Sequence, residues 1–156
     1  MGIKTVCEDV FGYGYKQALK EENPPEALER QVKQLEEIVH SMRLFQYLTL
    51  IAKELGLELT EPRGDFSSTF RHLLEEVLGE FYNRYGEQLE DLDAENFKKL
   101  FLEGASLEIG RVEDYIEDLI ILLLAFLVDR TLSEPLALSR IRGLIRDRQG
   151  KNLPLL

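Results

Sequence analysis

The sequence contains a single cysteine, Cys7, so one chain cannot form an internal disulfide. This scarcity of cysteine suits a reducing compartment. Acidic residues interrupt the apolar residues of the first stretch, MGIKTVCEDVFGYGY, and no small-residue cleavage site follows, so no secretory signal is expected. Val6 stands where a myristoylation pattern needs serine or threonine. Together these absences predict a cytoplasmic protein.

The sequence also lacks an apolar run long enough to cross a membrane. The longest run, Leu119 to Val128, has ten residues between Asp118 and Asp129, whereas a spanning helix needs about 20. We therefore expect no membrane partner. A helix that is apolar on all sides is usually buried on all sides, so this segment is predicted to be the central helix of a bundle. The alternative is a surface shared with another copy or with a partner protein.

The composition is that of one folded domain. With 156 residues, 44% of them hydrophobic and 31% charged, the chain can bury a core without disulfides or a metal. Apolar residues recur at the spacing of helices, and no stretch alternates long enough to require a strand. The predicted fold is an all-α, single-domain bundle of five or six helices covering residues 1–156, built around the apolar helix. The predicted helices run over residues 3–20, 24–55, 66–85, 94–103 and 111–131, with a last helix that opens at Ser133 and Pro135.

Capping residues mark the expected ends of these helices, because a polar side chain can accept the first free N–H groups and a glycine can turn the chain at the end. The expected N-caps are Asn23, Asp65 and Asp93, and the expected C-terminal glycines are Gly56, Gly86 and Gly104. The longest helix carries an apolar stripe at steps of three and four residues, which predicts a single helix of about 30 residues. The stripe consists of Leu28, Val32, Leu35, Val39, Met42, Phe45, Leu48, Ala52 and Leu55.

The charge is unevenly distributed along the chain. The basic C-terminal helix and tail, residues 128–156, contain six basic and three acidic residues, a net charge of +3. Because the whole chain has a net charge of −10, the other residues together carry −13. Such a chain can associate head to tail with its own copies, or present its basic end to a polyanion. A solvated surface with a basic last helix is the simpler interpretation.

Acidic residues cluster at the start of the apolar helix, in the segment VEDYIEDL. Glu113 stacks over Glu117 and Asp114 over Asp118, and like charges at this spacing destabilise a helix. The positive end of the helix dipole offsets part of that cost. The four carboxylates are either a solvated helix start or a docking patch for a basic partner, such as the arginine-rich tail of another copy.

Histidine is scarce, with only His40 and His72, and this limits metal and catalytic chemistry. Glu37 and His40 form the Glu-x-x-His pair that di-iron bundles use twice, but the pair occurs once here. An antiparallel hairpin about Thr60 would separate the two histidines by about 12 Å of helix rise, too far for one metal. No motif places a base beside Cys7. We therefore expect no metal, no cofactor and no catalytic residue, and a protein that is not an enzyme.

The stretch VKQLEEIVHSMRLFQYLTLIAK, residues 32–53, resembles a helix of the small all-helical subunit of type III (Cmr/Csm) CRISPR effector complexes. That helix carries a Leu-x-Gln-x-Leu core, matched here by Leu44, Gln46 and Leu48, and the segment GYGYKQALKE lies where the family has its first helix. The resemblance implies a non-catalytic subunit of antiviral defence that stacks with copies of itself along a crRNA–target duplex. RNA binding would be salt-dependent and directed at the backbone. The residues expected to carry it are Arg140, Arg142, Arg146, Arg148 and Lys151.

Two other classes of function fit the sequence. A protein-only adaptor or homo-oligomer would mate through the apolar helix or through a partly exposed Leu28–Leu55 stripe. It would stay associated after nuclease treatment. An acidic inhibitor would offer the carboxylates of the −13 body in place of nucleic-acid phosphates. It would compete with DNA or RNA for a basic protein, and the competition would depend on salt.

Overall fold

The computed structural model describes residues 24–59, 61–62 and 64–152. Helices account for most of this part of the chain, and the predicted all-α class is confirmed. The expected helix over residues 3–20 and the expected cap Asn23 lie outside the described residues. The helices are α1 (Pro24–Glu54), α2 (Phe66–Tyr85), α3 (Ala94–Leu102), α4 (Asp114–Leu123) and α5 (Glu134–Asn152), with a 3-10 turn at Gly86–Gln88.

The end of α1 follows the expected glycine geometry. Gly56 has a φ of +76°, the left-handed conformation that glycine adopts without a Cβ penalty. Its N–H donates to the Lys53 carbonyl at 3.0 Å, and the N–H of Leu57 donates to the Ala52 carbonyl at 2.9 Å. These two bonds are those of a Schellman motif, which satisfies the last free carbonyls of the helix.

Two aspartates begin the following helices as expected. The Asp65 carboxylate accepts from the Ser68 N–H at 2.8 Å, and the Asp93 carboxylate accepts from the Asn96 N–H at 2.8 Å. Gly86, in contrast, has a φ of −57° and leads directly into the 3-10 turn. The expectation that Gly86 closes α2 as a left-handed glycine is therefore wrong, although α2 does end at the residue before it.

Helices α1 and α2 run in the same direction, so the antiparallel hairpin expected between them is wrong. At the start of α2, the ring of Phe66 lies 5.8 Å from the ring of Phe45, counted between centroids. At the other end of α2, the Arg84 guanidinium donates to the Leu55 carbonyl at 2.8 Å. The connector, residues 57–65, spans enough chain to return along α1 before α2 begins. The register assumed for the two histidines therefore does not exist.

A small hairpin precedes α4, where the sequence predicts only a connector and the start of a helix. Strand β1 (Leu107–Glu108) pairs antiparallel with β2 (Arg111–Val112), so the helix expected from residue 111 begins three residues later. Gly110 in the turn has a φ of +82°. Two-residue strands are too short to produce an alternating pattern, which explains why pattern analysis did not detect them.

One core joins all five helices of the described part of the chain. α2 packs against α1 and α3, and α4 packs against α1 and α5. Aromatic rings fill the junction of α2 and α3, where the ring centroids of Phe81 and Phe97 lie 6.4 Å apart. The largest fully buried side chains include Phe70, Phe81, Phe97, Phe101, Leu44, Leu48, Ile51, Leu74, Leu78, Ile116 and Leu119.

The ten-residue apolar run forms the last part of α4 and a π-helical turn, Leu124–Val128. The N–H of Asp129 donates to the Leu124 carbonyl at 2.9 Å, the i to i+5 spacing of such a turn. One side of the run is buried against the core, but Ile121 is 44% exposed. The expectation of burial on all sides is wrong, because α1 and α5 pack against this segment and leave Ile121 exposed. The buried side consists of Leu119, Ile120, Leu123 and Leu127.

Candidate interaction surfaces

The basic residues of α5 are largely engaged within the protein. Arg142 donates to the Gln88 carbonyl at 3.0 Å, and Arg146 forms an ion pair with Glu90 at 2.7 Å. The Arg148 guanidinium lies 3.7 Å from the centroid of the Tyr115 ring. These contacts attach α5 to α4 and to the loop after α2, so three of the five residues expected to bind RNA have structural roles.

The other two members of the basic set differ from these three. Arg140 lies in α5 with its side chain exposed. Lys151 belongs to the last turn of the same helix, but its side chain lies outside the described residues. Arg140 is therefore the residue of this set whose exposed charge is best placed to meet an external anion.

The acidic residues expected to bind a partner lie at the start of α4. Glu113 is the N-cap residue, and Asp114 and Asp118 are exposed. Glu117 is half-buried, and its carboxylate lies 3.1 Å from His40 Nε2. The carboxylate of Glu117 thus connects α4 to α1, while Asp114 and Asp118 stay open to solvent.

The Glu37–His40 pair lines a polar cleft of about 400 Å³ between α1 and the start of α4. The cleft also contains Glu117 and the two basic side chains of Lys33 and Arg111. The second histidine, His72, lies 3.2 Å from Glu76 in its own helix. Among the described residues, no group of three or more histidine, cysteine, aspartate or glutamate side chains is placed to hold a metal ion.

Helix α1 has two apolar sides. Its second half turns Leu44, Leu48 and Ile51 into the core, where each is at most 1% exposed. On the opposite side, Val32 is 37% exposed, Val39 45% and Met42 50%. At 100° per residue, these three side chains and the half-buried Leu28 and Leu35 share one face of the helix. We call this face the outer stripe: Leu28, Val32, Leu35, Val39 and Met42.

The outer stripe continues into an apolar groove at its Met42 end. Met42, Phe45, Phe66 and Ile109 line this groove, which has a volume of about 380 Å³. Ile109 lies at the tip of the hairpin and is itself exposed. The hairpin therefore extends the apolar surface of α1 by one side chain from another element.

Sequence analysis gave a single apolar stripe for α1, whereas the structure has two. The expected stripe mixed inward residues, such as Leu48 and Leu55, with outward ones, such as Val39 and Met42. The second apolar side could have been detected in the sequence. Leu44, Leu48, Ile51 and Leu55 form a second apolar series at a different angle around the helix. Two apolar series on one helix indicate two covered sides, but periodicity alone does not say which side faces the core.

Comparison of the chain with protein-family models, with curated proteins and with solved structures finds no match. The resemblance to the type III small subunit therefore rests on the quoted residues alone. In the described part of the chain, no helix is both long and apolar enough to span a bilayer.

Proposed function

We propose that the protein is a non-enzymatic assembly subunit that acts through protein–protein contacts, with the outer stripe of α1 as its main contact surface. The observation that carries this proposal is the exposure of Val32, Val39 and Met42 along one side of the longest helix. Single exposed apolar residues are common on protein surfaces, whereas a continuous apolar surface with polar borders is typical of an interaction site.

The chemistry of the outer stripe suits a helical partner. An amphipathic helix is recognised through apolar residues at spacings of three, four and seven, which is the spacing of the stripe. Burying a valine, leucine or methionine side chain stabilises a complex by about 1.5–3 kcal/mol when the side chain leaves water completely. Burial of several such side chains on one face is therefore enough to hold two proteins together.

The RNA-backbone role implied by the CRISPR resemblance has weaker support. Arg142, Arg146 and Arg148 already contact other parts of the protein, so RNA would have to compete with those contacts. The acidic-inhibitor role has exposed carboxylates at Asp114 and Asp118, but Glu117 of the same cluster is engaged with His40. An assembly role through the outer stripe leaves all these internal contacts in place.

The test is to tag the protein in its native host, recover it gently, and weigh the intact assembly by native mass spectrometry. We expect a particle heavier than one chain whose mass does not change with ribonuclease. A particle that loses mass with ribonuclease would instead support the RNA-binding subunit. A chain recovered alone as a monomer would reject the assembly role.

Matched variants identify the surface responsible. Val39→Glu places a charge in the middle of the outer stripe and should dissociate the particle, because an unpaired carboxylate is costly to bury. Ile121→Glu tests the exposed side of the apolar run, and Leu136→Glu tests an apolar residue of α5 with the same 44% exposure. We expect both of these to leave the particle intact. Loss of the particle with Ile121→Glu alone would assign the contact to the apolar run instead.

A further inference from the structure

We infer that the partner on the outer stripe is a second copy of this chain, paired through antiparallel α1 helices around a two-fold axis. This inference rests on the proposed function and names its partner. Two properties of α1 support it: the spacing of the stripe, which is self-complementary, and the charges along one border of the stripe, which pair across such an axis.

The spacing of the stripe is that of a two-helix coiled coil. Its residues follow one another at steps of four, three, four and three residues, so the average step is 3.5 residues, half of a seven-residue repeat. From Leu28 to Met42 the stripe rises about 21 Å at 1.5 Å per residue, four helical turns. Such a seam packs best against a seam of the same spacing, and a second copy provides one.

An antiparallel arrangement matches the stripe to itself layer by layer. With the two-fold axis between residues 33 and 34, Leu28 lies opposite Val39 of the second copy, and Val32 lies opposite Leu35 of the second copy. Met42 then meets the first turn of the other α1, at Pro25, beside the groove that Phe45, Phe66 and Ile109 line. In a two-fold interface each of these contacts occurs twice, so one surface is complementary to itself.

The charged border of the stripe distinguishes the two directions. Glu29, Glu36 and Arg43 follow one another at seven-residue steps along the same side. In an antiparallel pair this border faces itself. Because helical side chains lean toward their own N-terminus, Arg43 converges on Glu29 of the second copy.

The two directions differ in their charge contacts. The antiparallel pair makes the Arg43–Glu29 contact twice and opposes the two Glu36 carboxylates once, at the axis. A parallel pair would place Arg43 beside Ile38 of the second copy and offer it no carboxylate. Opposite-charge pairs and opposed helix dipoles both favour the antiparallel direction.

The first experiment measures the mass of the purified full-length protein in solution by light scattering and by sedimentation over a wide range of concentration. We expect a dimer. Val39→Glu, which enters the interface twice, should weaken dimerisation about 100-fold or more, a loss typical of a residue at the centre of an interface. Leu136→Glu should leave the dimer unchanged. A wild-type protein that stays monomeric, or a Val39→Glu variant that stays dimeric, overturns the inference.

The second experiment tests the direction of the helices by disulfide formation. Leu28→Cys and Val39→Cys are made separately in a Cys7→Ser background, so that each chain carries one thiol. Antiparallel pairing predicts that neither variant links to itself and that a mixture of the two forms a disulfide-linked dimer, because Leu28 lies opposite Val39 of the second copy. Self-linking of either variant alone would show a parallel pair and overturn the antiparallel assignment.

The remaining outcomes separate this inference from the proposed function. If the purified protein is a monomer while the native particle is heavy and dissociates with Val39→Glu, a different protein occupies the outer stripe. The assembly role then stands and the self-pairing is wrong. If the protein is a monomer and Val39→Glu lowers its unfolding temperature, the stripe is covered within a single chain and is not a contact surface. Both proposals are wrong in that case.

Discussion

A buried serine of α1 holds the tip of the hairpin: the Gly110 N–H donates to Ser41 Oγ at 2.6 Å, and the Ser41 hydroxyl donates to the Glu37 carbonyl at 3.1 Å. Ser41 is 2% exposed, and 69 residues separate it from Gly110 in sequence. A buried N–H without an acceptor is costly, so this one side chain positions the turn that carries Ile109 next to the apolar groove.

We expect Ser41→Ala to lower the free energy of unfolding by about 1–3 kcal/mol, because it removes the acceptor of a partly buried N–H. Urea unfolding followed by circular dichroism measures the change. Ser139→Ala, at an exposed position of α5, is the matched control and should have little effect. Equal stability of the Ser41→Ala and Ser139→Ala proteins would mean that water replaces the serine hydroxyl.

The Asp65 cap makes the start of α2 sensitive to acid. Its hydrogen bonds from Ser68 hold the pKa of Asp65 below its ordinary value. A carboxyl whose folded-state pKa is lowered stabilises the fold above the unfolded pKa, and this contribution is lost as the pH falls through the folded pKa. Asp65→Asn keeps a capping oxygen but cannot titrate.

We therefore expect Asp65→Asn to be less stable than the wild type at neutral pH and to match it in acid below the pKa of Asp65. Thermal unfolding across the acid range measures the difference between the two proteins. A difference that does not vary with pH would show that the carboxylate charge makes no contribution at this cap.

Two glycine substitutions should change stability in opposite directions. Gly56 is left-handed with a φ of +76°, so Gly56→Ala should cost about 1–2 kcal/mol. Gly79 lies inside α2, and a Cβ built there meets no atom within 4 Å outside the adjacent backbone of its own helix. Gly79→Ala should stabilise the protein by about 0.5–1 kcal/mol, because alanine loses less backbone freedom in a helix. Chemical unfolding of both variants checks the signs, and the same sign for both would contradict the helix-end geometry.

The pair of Arg148 and Tyr115 joins α5 to α4 through the ring face. The Tyr115 hydroxyl is buried, and it neither donates nor accepts a hydrogen bond among the described residues. Burial raises the pKa of Tyr115. Tyr115→Phe keeps the ring and removes the unpaired hydroxyl, so we expect stability to stay the same or rise slightly. Arg148→Ala should lower stability by about 1 kcal/mol, because it removes the cation–π contact and the hydrogen bond from Arg148 Nε to the Leu100 carbonyl. A Tyr115→Phe protein that is clearly less stable than the Arg148→Ala protein would refute this assignment.

Charge reversal separates the structural arginines from the exposed one. Arg146→Glu would place two carboxylates together at Glu90, so we expect a loss of stability of up to about 1 kcal/mol at this exposed pair. Arg140→Glu should leave stability unchanged. If RNA binds α5, Arg140→Glu should weaken the binding at low salt, as filter binding would measure. Unchanged RNA binding by Arg140→Glu would remove the contribution of this exposed arginine.

Local features of the fold were predictable from the sequence because they depend on a few residues that are close together in the chain. The aspartate caps at residues 65 and 93 and the end of α1 at Gly56 follow from hydrogen bonds within one helical turn. The long connector between α1 and α2 contains no such signal. Its return path depends on the packing of Phe66 against Phe45, which are 21 residues apart in sequence.

The candidate surface was predictable only in part for the same reason. The residues of the outer stripe were recognised as apolar and helical, and a partly exposed stripe was one of the alternatives. Which of the two apolar sides of α1 meets the core depends on where α2 and α4 pack, and that is a long-range property. The internal contacts of Arg142 and Arg146 were not predictable from the sequence, because their acceptors lie more than 50 residues away along the chain.

For residues 24–152, the amino-acid sequence by itself determined the helices, most of their ends and the uneven charge, since each depends on short-range periodicity, capping and composition. The tertiary structure decided the parallel course of α1 and α2, the hairpin at residues 107–112 and the side of α1 that stays exposed. These features depend on which apolar surfaces meet first in three dimensions. Burial of Leu44, Leu48 and Ile51 against α2 and α4 leaves Val32, Val39 and Met42 facing outward.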